Sequence, residues 1–343
     1  MAVRGVAACV PVYSEANDVS PVFASQEDAA RFMDTTGIEN RRIVDERTTS
    51  SDLCLQAAEK LIADLQWEKD SIDCLVFVSQ TPDYILPATS CLLQSKLGLS
   101  TACYTLDISL GCSGWVHGLS VIASLLAGGG VKRGLLLAGD TISKICSKQD
   151  KSTYPLFGDA GSATALEFDP TTQNMMFHFA TDGSGSEAIH VLDGGFRNEA
   201  SAASFDNIFV ETGITHNKLQ LVLNGMDVFT FGISKAPKSV NQLIEHFDLD
   251  KERIDYFVMH QANLFMNEKI RKKLKFDADK VPYSLKDFGN TSCASIPLTM
   301  VSNSIFEGGG TRTILGCAFG VGLSWGSVYF QTENIVCPKL IEI

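Results

Sequence analysis

The sequence predicts an α/β protein in which helices cover both faces of a β-sheet. Strand-like and helix-like segments alternate along most of the chain, as they do in layered α/β folds. The strand-like segments are apolar almost throughout, as in residues 73–80 (DCLVFVSQ). This pattern is typical of strands that are buried on both faces. With 343 residues, 45% hydrophobic and 20% charged, the chain can form a large core or two fused modules.

The predicted elements follow from these patterns in order. The apolar segment at the N-terminus is interpreted as a first strand, because it contains Arg4 and lacks the layout of a signal peptide. The strand-like segments are residues 1–11, 73–80, 102–109, 134–139, 254–260, 313–319 and 324–331. The helix-like segments are residues 52–65, 113–127, 240–247 and 263–274.

Two features indicate that the chain consists of two similarly built halves. Glycine clusters at residues 128–130 and 308–310 each follow a helix-like segment and precede a strand. Between these clusters, residues 173–217 are polar and rich in Gly, Ser and Asn. Such a composition predicts loops, or an excursion of the chain between the two halves.

Composition and charge exclude several classes of function. A net charge of −12 disfavours non-specific binding to nucleic acid. No run of about 18 apolar residues is present, so no membrane-spanning helix is predicted. None of the ten cysteines forms a C-x-x-C pair, which argues against a disulfide framework and a zinc site and fits the cytoplasm. The basic segment of residues 269–275 is either a solvated helix face or a binding patch.

Cys112 is the candidate nucleophile. It lies in the segment LDISLGCSG (residues 106–114), after a predicted strand and immediately before an apolar helix. Unpaired N–H groups and the positive end of the helix favour a thiolate at such a position, and the same N–H groups can stabilise an oxyanion. The flanking glycines allow a tight turn and close approach of a substrate. The alternative is that Cys112 is one more buried small residue.

His260 and Asn290 are the candidate partners of this cysteine. His260 ends an apolar strand in the segment VMHQAN, whereas Asn290 lies in the turn GNTS before an apolar segment. Alone, the histidine is typical of a structural residue and the asparagine of an ordinary turn or helix cap. Together, an imidazole N–H and an amide can stabilise the enolate that forms when a malonyl thioester loses CO₂, without a metal. The enolate would then attack an acyl group carried by the cysteine.

These residues resemble the β-ketoacyl-acyl-carrier-protein synthase III family of the thiolase superfamily. The matching motifs are GCSG around Cys112, HQAN around His260 and GNTS around Asn290, in the family's order. Further matches are TGI at residues 36–38, FGDAGSA at 157–163 and FGVGLSWGS at 319–327. The resemblance therefore extends over nearly the whole chain.

The resemblance implies a thiolase-like, five-layered α/β/α/β/α fold with two related halves, usually as a homodimer. The half of residues 1–172 would carry Cys112, and the half of residues 173–343 would carry His260 and Asn290. The implied reaction is a decarboxylative Claisen condensation of an acyl thioester, from coenzyme A or acyl carrier protein, with malonyl carrier protein. Thioesters of coenzyme A or phosphopantetheine are substrates in this reaction, and no further cofactor is expected.

The resemblance also implies roles for residues around the nucleophile. The N–H groups of Cys112 and of the loop after Phe319 would form a second oxyanion hole, with Phe319 beside the thiol. Asn263 would contact the pantetheine arm. Lys272 and Lys273, in the basic segment after HQAN, would contact the acidic carrier protein.

The sequence departs from the family pattern where coenzyme A is held. Arg31 and Lys151 occupy the positions of the tryptophan and arginine that enclose the adenine, and Thr35 and Phe265 replace basic residues. We therefore expect either a donor bound to a carrier protein or a coenzyme A held differently.

Two further departures concern the acyl site. Val321 occupies a glycine position of the family's FGGG loop, where its Cβ would crowd the site or change the backbone angle. Leu86 replaces a phenylalanine that reaches across the dimer to close the acyl tunnel, which predicts room for a longer or branched acyl group.

Two other functions remain open from the sequence. One is an acyltransferase that moves the acyl group from Cys112 to an oxygen or nitrogen acceptor, and the other is a non-catalytic dimer partner. Asn290 favours condensation over simple transfer, because a histidine and asparagine pair suits an enolate. The acyl chain, its carrier and the pathway are not specified by the sequence.

Overall fold

The fold, taken from a computed structural model that describes all 343 residues, contains sixteen strands and eight α-helices. The strands are β1 (Ala2–Val10), β2 (Ser14–Ala16), β3 (Asn40–Arg42), β4 (Cys74–Val78), β5 (Tyr104–Ile108), β6 (Arg133–Asp140), β7 (Ala160–Glu167), β8 (Met176–Thr181), β9 (Ile189–His190), β10 (Ile208–Glu211), β11 (Ile214–His216), β12 (Val222–Leu223), β13 (Tyr256–Met259), β14 (Thr311–Gly320), β15 (Ser324–Glu333) and β16 (Ile341–Glu342). The α-helices are α1 (Gln26–Thr36), α2 (Ser50–Leu65), α3 (Thr89–Leu97), α4 (Gly114–Ala127), α5 (Gly225–His246), α6 (Leu264–Leu274), α7 (Leu285–Phe288) and α8 (Ser295–Ser302).

Two mixed sheets form the framework. The first has six strands in the order β16-β1-β7-β6-β4-β5, with β4 parallel to both β5 and β6. The second has four strands in the order β13-β14-β15-β8, in which only β13 and β14 are parallel. Strand β4 (CLVFV) is buried at every position, as expected for a strand covered on both faces.

Helices and sheets stack in five layers. Helices α2 and α3 pack on the outer face of the six-stranded sheet, and α5 and α6 pack on the outer face of the four-stranded sheet. Helices α4 and α8 lie between the two sheets, in the largest hydrophobic cluster of the protein. The observed order is therefore α/β/α/β/α, as the resemblance implies.

Trp115 shows how the central layer joins the two sheets. Its ring on α4 is 1% exposed and lies 6.5 Å from the ring of Phe330 on β15, in the four-stranded sheet. Its indole N–H donates a hydrogen bond of 3.0 Å to the Thr164 hydroxyl on β7, in the six-stranded sheet. One side chain of α4 thus contacts both sheets, which fixes the helix that follows Cys112.

Two sequence predictions need correction. Helix α5 begins at Gly225 rather than near residue 240 and contains Pro237. The full helix is hard to predict from the sequence because Pro237 and Gly232 are typical helix breakers. In the structure, Gly232 lets α5 pack closely against Met266, since a Cβ at position 232 would lie 2.6 Å from the Met266 sulfur. Residues 173–217 are not only loops, since β8 (MFHFAT) pairs with β15 at the edge of the second sheet.

Candidate active site

Cys112, His260 and Asn290 all line one cavity of about 420 Å³. Cys112 follows β5 in the six-stranded sheet, His260 follows β13 in the four-stranded sheet, and Asn290 follows α7. The structure thus brings together three residues that are up to 178 positions apart in the sequence, 290 − 112. All three are buried, with 7%, 2% and 5% of their surface exposed.

Cys112 lies in the short loop between β5 and α4. The turn closes through a hydrogen bond of 2.7 Å from the Gly114 N–H to the Gly111 carbonyl. Gly114 is required because a Cβ there would lie 2.4 Å from a methyl of Val78 on β4. The predicted strand, turn and helix around the nucleophile are therefore present, and they hold the thiol at the beginning of α4.

The turn after β14 covers the thiol. A Cβ on Gly320 would lie 2.4 Å from Cβ and 2.9 Å from Sγ of Cys112, so glycine is required at this position. The backbone N–H groups of Cys112 and Val321 both act on the sulfur and lower its pKa. The positive φ angles of this turn fall on Gly322 (72°) and Leu323 (46°), not on Val321. A valine at position 321 therefore needs no positive φ, and the backbone N–H of this residue stays available. Val321 also lines the cavity.

The His260 imidazole is held on two sides. Its Nδ1 lies 2.8 Å from the Ser295 hydroxyl, and its backbone N–H donates to the Cys317 carbonyl at 2.8 Å. The ring packs edge-on against Phe319, with 5.5 Å between centroids and 84° between planes. Which ring nitrogen carries the proton depends on the tautomer, because the Ser295 hydroxyl can donate to Nδ1 or accept from it.

The Asn290 amide has a fixed orientation. Its Oδ1 accepts a hydrogen bond of 3.0 Å from the backbone N–H of Ser292. Its backbone pairs with the segment around Phe157. The Asn290 N–H donates to the Leu156 carbonyl, and the Gly158 N–H donates to the Asn290 carbonyl. With Oδ1 occupied in this way, the Nδ2 amino group is left to donate within the cavity.

Ser292 contacts all three of these residues. Its N–H holds the Asn290 amide, and its hydroxyl lies 3.9 Å from the Cys112 sulfur. A backbone hydrogen bond with Ser292 raises the pKa of His260 and therefore involves the carbonyl, because only an acceptor favours the imidazolium. Ser292 adopts a φ of 49°, which is uncommon for a residue with a side chain. Ser292 is not among the residues predicted from the sequence, where its place in GNTS was the only signal.

Burial controls the charges of the site. It raises the pKa of Cys112 to about 11, against the opposing effects of the Ser292 hydroxyl and the backbone N–H groups. It also lowers the pKa of His260 to about 3. Desolvation therefore opposes the thiolate that the sequence predicts at this helix end, and it outweighs the effects of the N–H groups on the sulfur. The thiol and the imidazole are both neutral at pH 7.

An apolar wall completes the cavity. Hydrophobic residues make up 14 of the 23 that line it. Several come from residues 189–223, which overlap the segment of residues 173–217 that the sequence predicted as loops or an excursion between the halves. The wall includes Ile142, Ile145, Leu156, Ile189, Val191, Leu221, Leu223, Val228 and Met266. Gln80 and Ser109 add polar groups near Cys112 that the sequence analysis also missed.

The other predicted site residues lie in several places. Phe319 and Asn263 line the cavity, and the Asn263 side chain accepts a hydrogen bond from the Met266 N–H at the start of α6. Lys272 and Lys273 are exposed on α6, outside the cavity. Lys151 lies in a separate groove, and Leu86 is 82% exposed and does not line the cavity of its own chain.

No group of three or more His, Cys, Asp or Glu side chains is arranged to hold a metal ion. None of the helices has both the length and the apolar character that crossing a membrane requires.

Two family models match the chain. The model described as 3-oxoacyl-[acyl-carrier-protein] synthase III matches residues 106–183, and its C-terminal counterpart matches residues 244–332. The first match contains Cys112, and the second contains His260, Ser292 and Asn290.

Relatives match over most of the chain. A beta-ketoacyl-[acyl-carrier-protein] synthase III of Streptococcus agalactiae is 34% identical over 313 residues, which are 88% of this chain and 93% of that protein. The crystal structure of a 3-oxoacyl-(acyl-carrier protein) synthase from Burkholderia xenovorans superimposes with a TM-score of 0.92 at 38% identity, covering 100% of this chain and 97% of the other. The priming β-ketosynthase of the R1128 polyketide pathway superimposes with a TM-score of 0.82 at 25% identity, covering 97% and 96% of the two chains.

The five layers and the cavity with its buried cysteine define a thiolase-type condensing enzyme, an acyltransferase. Within this class, the chain belongs to the β-ketoacyl-[acyl-carrier-protein] synthase III family.

Gly320→Ala should slow acylation of Cys112. The added methyl group would occupy space within 3 Å of the sulfur, so we expect acylation to slow by at least about 100-fold. Intact-mass measurement of the acylated protein would give the rate. Gly130→Ala is the matched control, because a Cβ there meets nothing within 4 Å. Acylation of Gly320→Ala at the rate of the control would contradict the geometry described for this turn.

Proposed function

We propose that this protein condenses an acyl thioester with a malonyl thioester through an acyl group on Cys112, with loss of CO₂. The observation that carries this proposal is that one cavity contains two separate sets of hydrogen-bond donors. The N–H groups of Cys112 and Val321 act on the sulfur. The Asn290 amide and the His260 imidazole line the same cavity, and they are oriented by Ser292 and Ser295 rather than by the sulfur.

The first half-reaction uses Cys112 as the nucleophile. Its sulfur attacks the thioester carbonyl, and negative charge develops on the carbonyl oxygen. The N–H groups of Cys112 and Val321 would stabilise that oxygen, as in other acyl transfers. The leaving thiol then departs, and the acyl group stays on the cysteine.

The second half-reaction uses His260 and Asn290. A malonyl thioester that loses CO₂ becomes an enolate, whose oxygen needs hydrogen-bond donors. The Asn290 amino group is one donor. His260 would be the other in the tautomer whose proton lies on Nε2, with Nδ1 accepting from the Ser295 hydroxyl. The neutral state of this buried histidine suits a donor that must not protonate the enolate carbon.

The two alternative functions have no specific observation in their favour. Transfer to an oxygen or nitrogen acceptor would not need the oriented Asn290 amide. A non-catalytic dimer partner would not need Gly320, whose lack of a side chain leaves space beside the sulfur. We therefore keep condensation as the proposal.

The acyl donor is proposed to be an acyl carrier protein, or a coenzyme A held in an unusual way. Lys151 donates its ammonium protons to the Thr212 carbonyl at 2.8 Å, and Arg31 pairs with Glu27 at 3.3 Å. Asp28 and Glu211 line the same groove as these two basic residues. This mixed charge offers little net attraction to the phosphates of coenzyme A.

The remaining proposals concern partners and organisation. We propose a homodimer in which Leu86 closes the partner's acyl tunnel, because its side chain is exposed on a single chain. We also propose cytoplasmic localisation, no metal or other cofactor, no nucleic-acid partner, and related halves at residues 1–172 and 173–343. Helix α6 would bind the acidic carrier protein, with Asn263 at its start holding the pantetheine arm.

Asn290→Ala should separate the two half-reactions. Loss of the amide donor is expected to slow decarboxylative condensation by about 100-fold or more, whereas acylation should change by less than about fivefold. Intact mass gives the acylation rate, and release of labelled CO₂ gives the decarboxylation rate. Asn303→Ala, at the end of α8 outside the cavity, is the control. Equal losses in both steps would refute the assigned role of Asn290.

Charge reversal on α6 should weaken binding of the carrier protein. In the double variant Lys272→Glu, Lys273→Glu we expect KM for malonyl carrier protein to rise about tenfold, with kcat changed by less than about twofold. Steady-state kinetics at low and high salt would test this, because added salt should reduce the difference. Lys60→Glu on α2 is the matched control, since Lys60 is also an exposed lysine in an i,i+4 ion pair. An unchanged KM would reject α6 as the docking helix.

A further inference from the structure

Arg41 is a fully buried arginine for which the two half-reactions give no role. It lies on β3 opposite Glu15 on β2, and its side chain is 0% exposed. Its Nη2 donates to the Glu15 carboxylate at 2.6 Å, and its guanidinium carbon lies 4.7 Å from the centre of the Tyr154 ring. A buried charge must be both paired and hydrogen-bonded. The Glu15 pair uses only one nitrogen of the guanidinium, so the partners of the other two show what else the arginine holds.

The other two guanidinium nitrogens bind successive carbonyls of one chain segment, directly and through an asparagine. Nη1 donates to the Tyr154 carbonyl at 2.6 Å and to the Phe157 carbonyl at 3.2 Å. Nε donates to Oδ1 of Asn17 at 3.2 Å, and Nδ2 of Asn17 donates to the Pro155 carbonyl at 3.0 Å. The arginine and Asn17 therefore hold three of the four carbonyls of residues 154–157.

The fourth carbonyl of this segment belongs to Leu156 and holds Asn290. It accepts a hydrogen bond of 3.0 Å from the Asn290 N–H, and the N–H of Gly158 donates to the Asn290 carbonyl at 3.1 Å. Gly289, just before the asparagine, packs against the arginine itself, since a Cβ there would lie 3.1 Å from Cγ of Arg41. The guanidinium is thus separated from Asn290 by one layer of backbone, and Arg41 does not line the cavity.

We propose that Arg41 is a positioning residue for decarboxylation. It holds residues 154–157, these residues hold the Asn290 backbone, and the Asn290 amide thereby stays directed into the cavity. The inference rests on the proposed function, because it concerns the half-reaction assigned to His260 and Asn290. Arg41 donates no hydrogen bond to the loop that carries Cys112, so its effect falls on the loss of CO₂ and not on acyl transfer.

The shape of the guanidinium is what this role requires. It makes four hydrogen bonds to acceptors on two chain segments, and its rigid planar fork fixes the positions of these acceptors relative to each other. An ammonium presents all its donors from one atom and cannot span the same acceptors. Arg41→Lys therefore keeps the positive charge opposite Glu15 but releases part of residues 154–157. Asn290 can then shift, and a misplacement of about 1 Å can slow catalysis by about 100-fold.

The test compares the two half-reactions in Arg41→Lys. Acylation by S-butyryl-N-acetylcysteamine, a small neutral thioester, would be followed by intact mass, and release of labelled CO₂ from malonyl carrier protein would give the decarboxylation rate. Arg133→Lys is the matched control, because Arg133 also pairs with a glutamate and also lies 4.7 Å from the centre of an aromatic ring, that of Trp67. Its other side-chain hydrogen bond goes to the Ser71 hydroxyl and not to residues 154–157.

We expect Arg41→Lys to slow decarboxylation by about tenfold or more and to change acylation by less than about threefold. Arg133→Lys should change neither rate by more than about twofold. The double variant Arg41→Lys, Asn290→Ala should decarboxylate within about twofold of Asn290→Ala, because the arginine acts only through that amide. An arginine that merely stabilises the fold would slow both half-reactions together or slow the double variant further. Either result would overturn the inference, and so would a decarboxylation rate in Arg41→Lys equal to that of the control.

A second variant covers the case in which Arg41→Lys does not fold. Asn17→Ala removes the donor to the Pro155 carbonyl and leaves the arginine in place. We expect it to slow decarboxylation by about threefold or more with acylation unchanged, and a decarboxylation rate equal to that of wild type would refute the inference. Failure of the wild-type protein to release CO₂, or release by Asn290→Ala at the wild-type rate, would instead refute the proposed function itself.

Discussion

Ser292 holds the cavity together through three of its groups. Its N–H orients the Asn290 amide, its carbonyl faces the His260 imidazole, and its hydroxyl faces the Cys112 sulfur. This arrangement depends on a backbone φ of 49°, an uncommon value that the surrounding chain must enforce. The buried bridge between Asn290 and Phe157 provides that constraint. A shift of this one turn would therefore disturb the nucleophile and both donors together.

The same burial determines how charge is handled. Desolvation keeps the Cys112 thiol and the His260 imidazole neutral, so no cation in the cavity is available to stabilise developing negative charge. N–H groups and an amide must serve instead, and they are effective because they are preorganised in a dry site. The fold supplies them from separate layers, since Cys112 follows the six-stranded sheet and His260 follows the four-stranded one.

Much of this could be predicted from the sequence, because buried parallel strands and strand-end motifs leave local patterns. The candidates Cys112, His260 and Asn290, which line one cavity, were selected in this way, as was the layered fold. Ser292 was not, since its importance comes from contacts between distant segments. The apolar wall from residues 189–223 was missed for the same reason. The predicted helix was shorter than α5 because Pro237 and Gly232 usually break helices, and only the packing of the folded protein compensates for them. Leu86 lies outside its own chain's cavity, so its predicted role depends on a second chain.

The most direct test of the account is whether Cys112 accepts an acyl group. The purified protein would be incubated with acetyl, butyryl, hexanoyl and octanoyl thioesters of coenzyme A and of acyl carrier protein, and its intact mass measured. The account predicts one acyl increment on the wild-type protein and none on Cys112→Ala. An increment that persists in Cys112→Ala, or no increment with any of the donors, would contradict it.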